Sequence, residues 1–164
     1  MVRNRKQLKG FSLIELVIVV VIIGIIAAIA IPRMSRGSAG AADSSLSASL
    51  EGMRKAMDLY QAEHQGAYPT DNTTFESQLT QYTDANGNTS ATPSNAFMYG
   101  PYLRNIPPLP VGDQKGSANV GSTTAAQVPQ AVVSGYGWLY DGAGNVYPNT
   151  GALTDASGKL YTSY

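Results

Sequence analysis

Three residues near the N-terminus have types and a spacing that would allow ion pairing if the chain were cut between the first two. Gly10 ends a short basic leader, Phe11 begins a long apolar run, and Glu15 is the only charged residue within that run. A charged side chain at the centre of a membrane helix costs about 2.5–3.5 kcal/mol and less near the interface, so such a residue usually has a partner. Cleavage between Gly10 and Phe11 would create an α-amino group of opposite charge at a similar depth.

Pairing between copies of the chain is one interpretation of this arrangement. The Glu15 carboxylate of one copy would pair with the Phe11 amine of another and set the axial register, since a misaligned neighbour leaves both charges unpaired in apolar surroundings. The simpler alternative is that the Glu15 side chain extends to the lipid headgroups without a protein partner.

The element that must position these residues is an apolar helix of membrane-spanning length. Residues 11–31 are apolar except for Ser12, Glu15 and Gly24. At about 1.5 Å per helical residue this segment measures roughly 31 Å, close to the ~30 Å hydrocarbon core of a bilayer. Four basic residues precede it, at positions 3, 5, 6 and 9. Because basic flanks stay on the cytoplasmic side, the rest of the chain is predicted to lie across the membrane.

Composition excludes some classes of function. The formal net charge is zero, but four of the eleven basic residues lie in the leader, so the chain without residues 1–10 has seven basic and eleven acidic residues, a net charge of about −4. This mildly acidic balance gives no electrostatic reason to expect nucleic acid as a partner. The chain has no cysteine, which excludes disulfides and thiol-ligated metals.

The run from Gly10 to Leu16 resembles the cleavage and methylation motif of type IV prepilins and type II secretion pseudopilins. In that family a membrane peptidase cuts after the glycine and methylates the new amine, and the glutamate is needed for assembly. The resemblance implies that Gly10 is the last leader residue, Phe11 the mature N-terminus and Glu15 the assembly carboxylate. It also implies that Pro32 is the family's helix-breaking proline.

A second helical stretch is predicted after Pro32. Proline in a helix interior removes a hydrogen bond and clashes with the preceding turn, and residues 35–42 are small, so the helix is expected to be interrupted between Pro32 and Gly40. Apolar periodicity then returns as one stripe: Leu46, Leu50, Met53, Met57, Tyr60 and His64. Two pairs at i,i+4, Glu51 with Lys55 and Arg54 with Asp58, are expected to support its solvent side, and Gly66 and Pro69 to end it.

The region after Pro69 reads as loops and short strands. Residues 136–140 alternate aromatic side chains in the pattern of a half-buried strand, residues 141–145 form a turn, and Val146-Tyr147 return as the partner strand. Residues 97–103 and 131–133 are weaker strand candidates, and residues 86–95 and 111–130 are expected to be long loops. The fold class is α+β and pilin-like, a long N-terminal helix packed on a small antiparallel, β-rich C-terminal domain. The predicted segments are a leader at 1–10, a transmembrane and filament-core helix at 11–31, a kinked amphipathic helix at 32–66 and a globular domain at 67–164.

Other candidate sites have simpler explanations. His64, the only histidine, lies at the end of the apolar stripe and is expected to pack or cap the helix. Asp141, Asn145 and Asp155 offer oxygen ligands to calcium, but their spacing matches no twelve-residue calcium loop, and turns explain them better. No cofactor is predicted, with calcium kept as the alternative. Trp138 and the ten tyrosines could form a sugar-binding surface, although core and intersubunit contacts explain them better.

The sequence therefore predicts a structural filament subunit and not an enzyme. It would be cleaved after Gly10 and polymerised into a type II secretion pseudopilus or a type IV pilus. Expected partners are copies of itself, the prepilin peptidase, the inner-membrane assembly platform and, before assembly, membrane lipid. It would first lie in the bacterial inner membrane as a single-pass protein with a cytoplasmic N-terminus, then in a periplasmic or cell-surface filament. The alternative is a secreted or membrane-anchored binding protein with an ordinary signal peptide, since Ala28-Ile29-Ala30 supplies small residues of the A-x-A type. An anchored hydrolase has no acid–base pair to support it.

Overall fold

A computed structural model describes residues 11–124 and 131–164 of the chain, and the side chains of residues 31–36 are not described. The chain divides into two compact units, one ending at Ser38 and the other formed by Ala39–Tyr164. We describe each unit by itself.

The first helix, α1, runs from Leu13 to Glu63 and belongs in part to each unit. Its backbone is helical at every residue from Pro32 to Gly40, so the predicted interruption there is wrong; a bend of the axis stays a prediction. Proline in a helix interior kinks or breaks the helix, and here the helical backbone continues through it. The alanines that follow have the highest helix propensity of any residue, which offsets the glycines among them.

In the C-terminal unit, α1 buries the stripe that its sequence predicts. Leu46 and Met53 are fully buried, and every other member of the stripe, through His64, is at most 3% exposed. On the solvent side, the first predicted pair is present, with Lys55 Nζ 3.9 Å from Glu51 Oε2. The second predicted pair is wrong: Arg54 donates to the backbone carbonyl of Tyr164 at 2.6 Å and not to Asp58.

The helix ends in a Schellman motif. The Gly66 N–H donates to the Gln61 carbonyl at 2.9 Å, which is the six-to-one hydrogen bond of that motif. Gln65 occupies the left-handed position with φ of 56°, where glycine is more usual. The predicted end of the helix near Gly66 is therefore confirmed.

A short helix and a small hairpin follow, and the sequence reading missed both. Helix α2 spans Asn72–Thr80, and Asp71 caps it by accepting from the backbone N–H groups of Thr73 and Thr74. Strands β1 (Tyr82–Thr83) and β2 (Thr89–Ser90) pair antiparallel. Strand β2 lies inside the segment predicted to be a loop.

A mixed three-stranded sheet completes the C-terminal unit. Its strands are β3 (Val120–Ser122), β4 (Trp138–Tyr140) and β5 (Val146–Pro148), in the order β3-β4-β5. The predicted β4–turn–β5 hairpin is confirmed, and the predicted antiparallel pairing is present in β1–β2 and β4–β5. Strand β3 adds a parallel pair with β4, so the three-stranded sheet is mixed. All three β4 residues are buried, so this strand is covered on both faces and not half-buried. Of the two weaker strand candidates, residues 97–103 contribute only a single bridge at Tyr99, and residues 131–133 form no strand.

The core joins the α1 stripe to α2, the sheet and the loop before β3. Its members besides the stripe are Ala56, Phe75, Leu79, Ile106, Leu109, Val111, Val120, Trp138, Tyr140 and Val146. The polar ends of two core aromatics are satisfied, because Trp138 donates from Nε1 to the Pro107 carbonyl at 2.7 Å and Tyr140 donates to the Pro69 carbonyl at 2.8 Å. The expectation that Trp138 belongs to the core is confirmed.

The C-terminal residues return to α1. Tyr161 lies in a short 3₁₀ turn (Tyr161–Ser163) and donates to the Asp43 carboxylate at 2.6 Å, while the Tyr164 carbonyl accepts from Arg54. The Tyr164 hydroxyl donates to the Asp155 carboxylate. These contacts fasten the last ten residues to the helix that carries the core stripe.

Candidate functional site

The candidate site is the beginning of α1 in the first unit. Gly10 lies outside the described residues. Phe11 and Ser12 precede the helix, and Phe11 is 84% exposed. The backbone is therefore non-helical for two residues after the predicted cleavage point, and the described residues cover little of the Phe11 side chain.

Glu15 caps the helix on which it lies. Its Oε2 accepts from the backbone N–H of Ser12 at 2.8 Å. Ser12 is the N-cap residue and Glu15 the third helical residue, so this contact is the glutamate half of a capping box. A carboxylate in the first turn is also favoured by the partial positive charge of the helix N-terminus.

This cap was missed by the sequence reading, although the signal was present. The order Ser12-Leu13-Ile14-Glu15 is the S-x-x-E pattern that precedes many helices. As a lone charge in an apolar run, Glu15 was expected to find its partner outside the helix. The structure gives one carboxylate oxygen a local donor, and the other makes no hydrogen bond within the described residues.

The helix around Glu15 is apolar and uncovered on every side. The exposed fraction of its large apolar side chains from Leu13 to Ile29 runs from 46% at Val19 to 79% at Leu13. The window Leu13–Ala30 has a mean hydropathy of 3.2 and none of it is buried. By length and composition this is a helix that can cross a membrane, a property that signal sequences share. An apolar surface of this extent needs lipid or other protein chains to cover it.

Pro32 lies on the same helix, beyond the apolar window. Its backbone is helical, and its side chain is not described. The structure therefore places Phe11 just before α1, Glu15 in its first turn and the backbone of Pro32 farther along the same helix.

The remaining sequence candidates lie in the C-terminal unit and have structural roles. Asp141 accepts from the backbone of Ala143 and from the backbone and side chain of Asn145. Burial opposes ionisation, but these hydrogen bonds prevail and hold the pKa of Asp141 below its ordinary value. Asp155 accepts from Ser157, Lys159 and Tyr164 in a separate turn. Their oxygens are thus used by their own turns, and no cluster of three or more acidic or histidine ligands occurs among the described residues.

His64 is a buried capping residue, as its position in the sequence predicts. It is 3% exposed, its backbone N–H donates to the Tyr60 carbonyl at 3.0 Å, and its ring stacks on Tyr60 with centroids 3.8 Å apart. This is the first position after the last helical residue, where side chains commonly pack over the helix end.

Comparison with known proteins identifies the N-terminal segment. The family model of the prokaryotic N-terminal methylation motif matches residues 5–31. No curated protein and no solved structure matches the chain. The chain therefore carries the prepilin signature of type IV pilins and pseudopilins, on an α+β fold with a long apolar N-terminal helix.

Proposed function

We propose that this protein is a structural filament subunit, made as a prepilin, cleaved after Gly10 and polymerised into a type II secretion pseudopilus or a type IV pilus. The observation that carries the proposal is a lone carboxylate at the start of an uncovered apolar helix, inside the matched methylation motif. The N-terminal helices would form the filament core, and the unit from Ala39 to Tyr164 would form its surface.

Cleavage would change the electrostatics at the start of α1. The new amine of Phe11 would be a cation beside a helix N-terminus, where the helix dipole disfavours positive charge. The Glu15 carboxylate of a neighbouring subunit would remove that cost and keep its own apolar surroundings free of an unpaired charge. Because the removal of one member of a buried pair costs about 3–5 kcal/mol, a subunit shifted by one register would bind more weakly by two orders of magnitude or more.

The basic leader and the apolar helix also determine the partners and the location that we propose for the subunit. The basic leader would hold the N-terminus in the cytoplasm, where the prepilin peptidase acts on Gly10 and Phe11, and lipid would cover α1 until assembly. Partners would then be copies of the chain and the inner-membrane assembly platform. The filament would lie in the periplasm or at the cell surface. We assign the protein no catalytic residue and no cofactor, and both assignments stay predictions.

Because Glu15 also caps the helix, two substitutions can test whether its charge or its hydrogen bond is needed for assembly. Glu15→Val removes both the charge and the acceptor, whereas Glu15→Gln removes the charge but keeps an oxygen that can accept from the Ser12 N–H. Both variants should insert in the membrane and be cleaved. If Glu15 pairs with an amine, both should lose filament formation by tenfold or more, measured by shearing cells and quantifying the filament fraction.

The two variants also separate the competing roles of the carboxylate. Normal assembly by Glu15→Gln together with failure of Glu15→Val would mean that Glu15 acts only as a helix cap, and the pairing role would be wrong. Normal assembly by both would remove Glu15 from the assembly mechanism. Leu13→Val, two residues away on the same uncovered helix, serves as the matched control and should assemble.

Replacing Gly10 tests the processing site. Gly10→Leu should leave full-length precursor in the membrane fraction, because a bulky side chain at the residue before the scissile bond would obstruct the peptidase. A mature-sized band from this variant would place the scissile bond elsewhere in the chain.

A further inference from the structure

The last four residues form a strap, running from Tyr161 to Tyr164, that is fastened at both ends. At one end the Tyr161 hydroxyl donates to Oδ1 of Asp43 at 2.6 Å. At the other end the Tyr164 carbonyl accepts from Arg54 at 2.6 Å, and the Tyr164 hydroxyl donates to the Asp155 carboxylate. The strap therefore bridges two places on α1 that are about three helical turns apart.

The turn that receives Tyr164 differs from two other turns of the same kind. Those two turns also begin with aspartate and end with asparagine; they span residues 84–88 and 141–145. In both, the asparagine side chain donates to the second oxygen of the aspartate, at 2.8 and 2.7 Å. In the third turn Lys159 replaces the asparagine, and the Tyr164 hydroxyl bonds the second oxygen of Asp155. Lys159 Nζ lies 4.0 Å from the centroid of the Tyr164 ring. This turn is therefore completed by the strap.

The other end of the strap holds a stretch of α1 that has little stability of its own. No residue from 39 to 45 is buried. Gly40 lowers the helix propensity relative to alanine, and Ser44 donates to the Gly40 carbonyl at 2.9 Å, a side-chain hydrogen bond that slightly destabilises helices. Ala42 packs against the core, and Asp43 adds the contact with the strap. A segment with so little burial opens locally at a lower cost in free energy than the core does.

From these contacts we infer that the strap is a latch on residues 39–45 of α1. With the latch closed, these residues stay helical. When Tyr161 leaves Asp43, the stretch opens to coil, while the helix from Leu46 onward stays folded because its apolar stripe is buried. The two ends of the strap act together, since the Tyr164 N–H donates to the Tyr161 carbonyl at 3.3 Å within one short turn. Release of Tyr164 therefore also loosens Tyr161.

The latched stretch lies at the start of the C-terminal unit, directly after the boundary at Ser38. Its opening would give a subunit slack between the apolar helix and the C-terminal unit as it passes from lipid into a filament. This use rests on the proposed function, whereas the latch itself does not. Hydrogen exchange detects the latch in single chains, so a failure of the latch and a failure of filament formation are seen in separate measurements.

Amide hydrogen exchange of the full-length protein in detergent micelles, followed residue by residue by NMR, tests the latch. The amides of residues 43–46 bond the carbonyls four residues earlier, so their exchange reports on the latched stretch. In the wild type they should exchange faster than the amides of residues 53–60, because they open locally. Tyr161→Phe keeps the ring but removes the donor to Asp43. It should speed exchange at residues 43–46 about tenfold and leave residues 53–60 unchanged.

Two further variants distinguish a latch from a single hydrogen bond. Tyr164→Phe keeps the Asp43 contact, yet it should also speed exchange at residues 43–46, because it frees the other end of the strap. Gly40→Ala adds a Cβ that meets nothing within 4 Å, and in the Tyr161→Phe background it should slow the exchange by strengthening the helix. Tyr136→Phe changes an exposed tyrosine outside the strap and should exchange as the wild type does.

Three results would overturn the latch. Unchanged exchange at residues 43–46 in Tyr161→Phe would show that the Asp43 contact does not hold the stretch. Equal acceleration at residues 43–46 and 53–60 would show a general loss of stability in place of a local opening. No effect of Tyr164→Phe would reduce the strap to one hydrogen bond. The wild type decides even if the variants do not fold, because equal protection of both sets of amides would also overturn the inference.

Discussion

The two halves of α1 are both helical, but they differ in what covers their apolar side chains. From Leu13 to Ala30 the helix is apolar around its whole circumference and none of it is buried. From Leu46 to Tyr60 it is amphipathic, and its apolar stripe is covered by α2, the sheet and the loop before β3. A helix that is apolar all round must be buried in lipid or among other chains, whereas an amphipathic one can be stabilised by its own domain. The difference indicates that the first half depends on lipid or other chains to cover its apolar surface. The second half is covered by the domain of its own chain.

The largest effect should come from removing a core side chain of the second half. Leu50 is 1% exposed, whereas Leu59 on the same helix is 57% exposed. Leu50→Ala should lower the free energy of unfolding of the C-terminal unit by about 2–5 kcal/mol, and Leu59→Ala should change it by less than about 0.5 kcal/mol. Chemical denaturation of the full chain in detergent, followed by Trp138 fluorescence, measures both. Equal effects would contradict the assignment of the buried stripe.

The same kind of substitution in the first half should give the reverse result. Ile18 is 51% exposed, so Ile18→Ala should leave the unfolding of the isolated chain unchanged within about 0.5 kcal/mol. If neighbouring subunits cover this surface, the variant should assemble less well, because about three methylene-sized groups are lost at each contact. Unfolding and sheared-filament yield would be measured on the same variant. A destabilised chain with normal filaments would contradict the division between the two halves.

High pH should lower the stability of the C-terminal unit, which contains the second half of α1, and leave the first half of the helix unchanged. Burial is the main cause that raises the pKa of Tyr140 to about 12, and burial together with the Asp43 carboxylate raises that of Tyr161 to about 12. A hydroxyl whose pKa is higher in the folded state stabilises that state below its unfolded value near 10, and this contribution is lost as the pH rises from 10 to 12. The C-terminal unit should therefore unfold at a lower denaturant concentration at pH 11.5 than at pH 8 (about these values).

Tyr140→Phe identifies the group responsible. This variant loses the hydrogen bond to the Pro69 carbonyl, so it should be less stable by about 1 kcal/mol at neutral pH. It should also lose less stability between pH 10 and 12 than the wild type does. The apolar window Leu13–Ala30 has no tyrosine, so its helix signal should persist while the tyrosine-bearing unit unfolds. An unchanged pH profile in Tyr140→Phe would contradict the role of Tyr140.

The smallest effect should come from the end of the second half. Gln65 has a left-handed backbone with φ of 56° and an exposed side chain. Gln65→Gly should relieve about 1 kcal/mol of backbone strain, and the greater freedom of glycine in the unfolded chain should offset part of this gain. We expect the midpoint of denaturation to rise slightly, and a clear decrease would contradict the Schellman geometry.

Local patterns made much of this structure predictable. The spacing of Leu46, Leu50, Met53, Met57 and Tyr60 identifies the buried face because helical periodicity depends only on the chain itself. The turn at residues 141–145 identifies the β4–β5 hairpin for the same reason. At the N-terminus, residue type and spacing single out Phe11 and Glu15, whose roles stay predictions, and the Ser12–Glu15 cap was present in the pattern but not predicted.

Contacts between distant segments were not predictable in this way. Helix α2 has only nine residues and two large apolar side chains, Phe75 and Leu79, which is too short a pattern to distinguish a helix from a loop. The parallel pairing of β3 with β4 joins segments separated by more than ten residues, and no turn signal marks it. Arg54 was assigned to Asp58, a neighbour on the helix, because nothing in the sequence shows that the carbonyl of Tyr164 lies beside it.

The central claim is that cleavage after Gly10 creates the amine that Glu15 pairs with. Intact-mass and N-terminal fragment analysis of the mature protein from membranes and from sheared filaments tests this most directly. We expect a chain that begins at Phe11, with a methyl group on its amine, in both fractions. A mature chain that begins after Ala30 would show an ordinary signal peptide, and a chain that keeps the residues before Phe11 would show an uncleaved anchor. Either of these results would contradict the account.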